Sequence, residues 1–184
     1  MTFPVFASGD VLNASDMNAV GLWLVKTQTV GTGVSSVTVN NAFSADYDNY
    51  KIIWSGGQSS AAAEIYMQLT TGGTASTASY YGALAWVSLT TAAVSGASDN
   101  NAARWSWAGA GAGANDGAAS LNVDLLGPYL AKRTRLHNAQ VVYATVYGTY
   151  TGLHDLGNSY DGFKLTPYSG TISGGTIRVY GYRN

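Results

Sequence analysis

Two histidines, His137 and His154, one glutamate, Glu64, and nine aspartates are all that this 184-residue chain offers for acid–base or metal chemistry. His154 and Asp155 are neighbours in sequence, which in a strand sends them to opposite faces. Gly152 and Gly157 flank them and mark a turn, so His154 reads as a satisfied or exposed loop histidine rather than a catalytic base. Asp46, Asp48 and Asn49 have the spacing that opens a calcium loop. The glycine and distal bidentate glutamate such a loop needs are missing, and a turn before a strand at Tyr50 accounts for them. With no cysteine there is neither a disulfide nor a thiolate metal site.

Ser98-Asp99-Asn100 copies one signature of serine β-lactamases, but its Ser-x-x-Lys and Lys-Thr-Gly companions are absent. No Gly-x-Ser-x-Gly elbow, Walker sequence or dinucleotide-binding glycine pattern occurs. The expectation is a protein that is not an enzyme and holds no metal or cofactor.

Thirteen tyrosines and five tryptophans remain as functional candidates. An apolar ring with a hydrogen-bonding tip suits protein interfaces and the stacking of sugar rings, although strands also favour aromatics for packing alone. Trp105 and Trp107 share a face of one strand. Loops at residues 71–79, 95–102 and 152–159, if they gather at one end, form a neutral surface of Ser, Thr, Asn and Tyr. There Tyr80, Tyr81 and Tyr160 are the candidate glycan contacts, and binding through hydroxyls and ring faces is expected to depend little on salt.

Composition narrows the partners further. Charged residues are 10% of the chain, against about 25% in an average soluble domain. Nine basic residues offset by ten acids give a net charge of −1, too weak and too scattered for nucleic acid. Lys132, Arg133 and Arg135 form the one local cluster, read as a solvated loop or strand start. The apolar run at 20–25 is too short to cross a membrane and no signal peptide is visible, so synthesis in a cytoplasm is expected.

Apolar residues at 46% are enough for a real core. From Leu22 onward period-two patterns rich in Val, Ile, Thr, Tyr and Trp recur between Gly, Ser, Asn and Asp clusters. They predict strands at 22–30, 34–39, 50–55, 64–70, 80–89, 103–107, 120–126, 140–147, 162–167 and 176–182. The fold class expected is all-β, an antiparallel β-sandwich or jelly roll spanning 22–184. Residues 1–21 differ: Phe3, Val5 and Phe6 are apolar and extended, and Asn13 with Asp16 caps a short helix near 14–20. The run Ala-Gly-Ala-Gly-Ala-Gly-Ala at 108–114 reads as a mobile loop or as a close-packed contact.

Two stretches carry a resemblance. Gly174-Gly175-Thr176-Ile177-Arg178-Val179-Tyr180-Gly181-Tyr182 resembles the C-terminus of bacteriophage tail-fibre and other small virion structural proteins. Residues 6–18, with Gly9, Val11, Leu12, Ala14, Met17 and Asn18, resemble the Gly-x-Val-Leu-Thr-Ala-x-x-Leu-Asn element that joins such fibres to the virion; Asn13 and Met17 depart from its Thr and Leu. The segment reads equally well as a capped helix packed on the sandwich. The resemblance implies a virion component, commonly a homotrimer, attached to other virion proteins through Phe3, Val5, Phe6, Val11, Leu12 and Met17. It implies a tail-fibre or minor tail protein that binds host-surface polysaccharide, or alternatively a capsid decoration or head-fibre protein.

Overall fold

The structure, a computed structural model, describes residues 21–111, 119–143 and 145–182. Phe3, Val5, Phe6, Val11, Leu12 and Met17, expected to attach the protein to the virion, and the helix expected near 14–20 lie outside them. The described residues are all-β, with every pairing antiparallel.

One strand organises the sheet. β9 (Ala119–Leu126) pairs along one edge with β3 (Asn49–Ser59), and beyond β3 follow β14 (Thr176–Tyr182) and β1 (Leu22–Thr29). Its other edge is divided: Ala119 and Ser120 pair with β8 (Trp105–Gly111), whereas Asp124 to Leu126 pair with β10 (Thr134–Tyr143). The sheet therefore forks. One branch runs from β8 to β4 (Ala63–Thr71), β12 (Gly162–Pro167) and β2 (Val37–Val39). The other runs from β10 to β11 (Val146–His154), β6 (Tyr80–Ser88) and β7 (Val94–Ala102). Two short strands, β5 (Thr74–Ala75) and β13 (Ile172–Ser173), pair with β4 and β3.

Alternation explains which residues fill the core. Ile65, Met67 and Leu69 of β4, Leu121, Val123 and Leu125 of β9, and Ile177 and Val179 of β14 are all buried. Removing each such side chain from water contributes about 1.5–3 kcal/mol. Rings from the two branches meet there: Trp105 of β8 lies 5.1 Å from Tyr80 of β6, and Trp107 of β8 lies 5.7 Å from Tyr150 of β11. Two glycines permit this packing. A Cβ on Gly152 would collide with the Trp105 indole, and one on Gly181 would collide with the ring of Tyr47.

Three sequence expectations are corrected. Residues 95–102 form most of strand β7 rather than a loop; among the described residues the strand pairs with β6 alone, and its one fully inward position holds the carboxylate of Asp99, so no apolar alternation signals it. Within the run at 108–114, residues 108–111 are buried strand, with Gly109 pressed against Ser120 and Gly111 against Ser59. That favours close packing over mobility for those four. The single strand expected at 140–147 is the meeting of two, β10 and β11, with a turn at Thr145.

Candidate functional site

The loops expected to gather do meet. Thr71 Oγ1 donates to the Ser159 carbonyl at 3.2 Å, Asp155 N–H donates to the Ser79 carbonyl at 2.9 Å, and Ser79 N–H donates to Asn101 Oδ1 at 3.2 Å. Two of the three tyrosines, however, turn inward. Tyr80 and Tyr160 are buried, because adjacent residues of a strand face opposite ways and only one of Tyr80 and Tyr81 can point out. Neither can stack on a sugar, which corrects the assignment of Tyr80 and Tyr160 as glycan contacts. Tyr81 stays half-exposed.

Beside Tyr81 the charge gathers instead of being absent. Along β10 the sequence Arg133-Thr134-Arg135-Leu136-His137 buries Thr134 and Leu136 and turns the other three outward. A cleft of about 610 Å³ lies between this strand and the turn at Asp48, with Lys132, Arg133, Arg135 and Asp155 on its walls. A second, of about 410 Å³, continues across the outer face and is lined by Arg133, Arg135, His137, Thr151, Leu153 and Tyr81. The two share Arg133 and Arg135 and so make one groove. Three of the nine basic residues stand here, which replaces the neutral surface expected from composition. Arg133 forms an ion pair with Asp155. Lys132 and Arg135 are exposed and have no such partner among the described residues. Period-two alternation through 133–137 was the signal for this row, obscured because the three cations were read as a solvated cluster.

Beneath the groove the remaining polar groups act as anchors. His154, fully buried, is not in an exposed loop; it ends β11 and is satisfied on both ring nitrogens. Leu156 N–H donates to Nδ1 at 3.4 Å, which assigns the proton to Nε2, where Ser76 Oγ and Tyr160 Oη each lie at 3.1 Å. A serine nucleophile needs the reverse arrangement, a free Nε2 to take its proton and an acceptor on Nδ1. Burial pushes the imidazole down to about 4, against which Asp155 works in the opposite direction, so the ring is neutral at pH 7.

Asp99 is the second anchor. Its carboxylate accepts from Ser106 N–H at 2.8 Å, Ser106 Oγ at 2.7 Å and Tyr150 Oη at 2.6 Å, which ties β7 to β8 and β11. Tyr150 is raised well above an ordinary phenol, first by burial and then by the carboxylate, so it serves as a donor. Asp124 does the same for the C-terminal strand: Tyr182 Oη donates to it at 2.5 Å and Lys51 Nζ lies at 3.4 Å. Among the described residues there is no group of three or more side chains able to hold a metal ion.

No protein-family model matches this chain, and no curated protein or solved structure matches it either.

Proposed function

We propose that this chain is a non-enzymatic structural protein of a bacteriophage virion. It is a tail-fibre or minor tail protein, made in the host cytoplasm, that attaches to other virion proteins through residues 1–21 and displays a trimeric β-sandwich to host-surface glycan. The observation that carries the reading is the groove beside Tyr81: an open channel on the outer face of a sheet, flanked by an aromatic ring and by arginines, with Asp99 and His154 in the interior tying neighbouring segments together. Sugar-binding surfaces combine hydrogen-bonding groups with a ring face in this way.

The forked sheet, with rings of both branches meeting in one core, supports a sandwich of the jelly-roll kind. Leu22, Trp23 and Leu24 stand exposed on β1, which among the described residues pairs with β14 alone. Exposed apolar side chains on an edge strand suit coverage by neighbouring subunits. A second reading, capsid decoration, is favoured by a different observation. Val87, Leu89 and Val94 are exposed at the end of β6 away from Tyr81, an apolar tip better suited to seating on a shell than to meeting a host.

Deleting residues 1–20 tests the attachment. The thermal transition should stay nearly unchanged while incorporation into particles is lost; a deletion that unfolds the protein would assign the segment to the core.

A further inference from the structure

We propose that the groove beside Tyr81 selects acidic glycans, with the carboxylate or phosphate of a sugar held by Arg135 and its ring laid on Tyr81. The proposal rests on the glycan-binding reading above and adds the class of sugar. Its geometry comes from the sheet register. Arg135 stands opposite Leu153, and Leu153 stands opposite Tyr81, so the three side chains form one row across β10, β11 and β6. Adjacent strands are spaced by about 4.8 Å, so the backbones under Arg135 and Tyr81 lie roughly 10 Å apart. That span accommodates one pyranose ring plus the charged group it carries. Leu153 forms an apolar floor beneath the ring, and Thr151 in the next row offers a hydroxyl.

Two sheet irregularities lie beside the row, one on β10 and one on β7 next to Tyr81. On β10, His137 and Asn138 together face Thr151 where a regular ladder would have one residue; on β7, Asn100 and Asn101 together face Tyr81. Bulges re-aim side chains and are over-represented next to binding sites. The charge balance favours an anion: along the whole groove Lys132, Arg133 and Arg135 outnumber Asp48 and Asp155. The part of the groove nearest Tyr81 is lined by Arg133, Arg135 and His137 and by no carboxylate. Arg133 is committed to Asp155, which leaves Arg135 free among the described residues to grip an oxyanion in a two-pronged bond. A cationic row this short, on a chain of net charge −1, suits single anionic groups on a polymer rather than a continuous phosphate backbone.

The test is an array of uronic, sialic and phosphorylated oligosaccharides, each beside its carboxyl-reduced or dephosphorylated counterpart, probed with the full-length protein. Binding is expected to acidic members only, to weaken as salt rises, and to drop about tenfold or more in Arg135→Gln. Tyr81→Ala should weaken it too, whereas Lys26→Gln, on β1, should not. Equal binding to the neutral counterparts, binding unchanged in Arg135→Gln, or no binding to any acidic member would overturn the proposal. So would tighter binding of a single-stranded DNA oligonucleotide, which would give the groove to nucleic acid. Adsorption of the parent particle separates this from the broader reading. Particles that need the protein to adsorb, yet are indifferent to Arg135→Gln, would remove only the acidic-glycan proposal; particles that adsorb without the protein would remove both.

Discussion

A buried carboxylate can hold a sheet together only if every donor aimed at it stays in place, and Asp99 meets three. Asp99→Ala leaves the Tyr150 hydroxyl and both Ser106 donors without an acceptor, and should cost about 3 kcal/mol or more in denaturant unfolding. Asp99→Asn, which keeps oxygen toward one side, should cost less, and adding Tyr150→Phe to Asp99→Ala should recover part of the loss. His154 gives the fold a pH dependence of defined sign. Its folded pKa of about 4 lies below the ordinary value of 6.5, so the unfolded chain takes up a proton first as pH falls. The contribution of the neutral ring is intact above pH 6.5 and is lost between there and pH 4, amounting to about 3 kcal/mol. Unfolding midpoints measured across that window should fall in the wild type and flatten in His154→Gln. At the other end of the scale, Tyr182 is raised to about 12 by burial and by its bond to Asp124, so it stays protonated and donating through the neutral range.

Among the elements, β14 is held on both edges, by β1 and β3. Gly181 lets the Tyr47 ring pack flat against this strand. Gly181→Val should therefore destabilise the fold by about 1–3 kcal/mol, and thermal unfolding will show it. This strand was plain in the sequence, since Ile177 and Val179 alternate with Arg178 and Tyr180 and both rows do what their chemistry asks. β7 was not, because its inward position is Asp99 and its outward ones are Ser, Gly and Asn, which read as a loop. The Ala-Gly run of β8 was ambiguous for a related reason: side chains too small to show a hydrophobic period are what the close approach of β4 and β9 requires. The candidate site is legible only in part. Of the adjacent pair named as glycan contacts, strand alternation lets one side chain point outward, and the structure leaves Tyr81 half-exposed and buries Tyr80. Tyr160 was read as a loop residue, and only the tertiary meeting with His154 buries it.

At the scale of the whole molecule, a charge-poor chain gathers three of its nine cations along one groove, two of them in the part that Tyr81 lines, and leaves apolar side chains at a sheet edge and at one hairpin tip. Such a surface suits a subunit that is covered on some sides and offers one groove to its surroundings. Under the proposed function, the protein carries the particle's contact with host glycan. The most direct measurement is the adsorption rate of parent particles assembled with and without it, on host cells before and after enzymatic removal of surface polysaccharide. Adsorption should be lost without the protein and lost equally when the polysaccharide is stripped. Particles that adsorb normally in its absence but burst under osmotic stress would contradict the account and give the protein to the capsid instead.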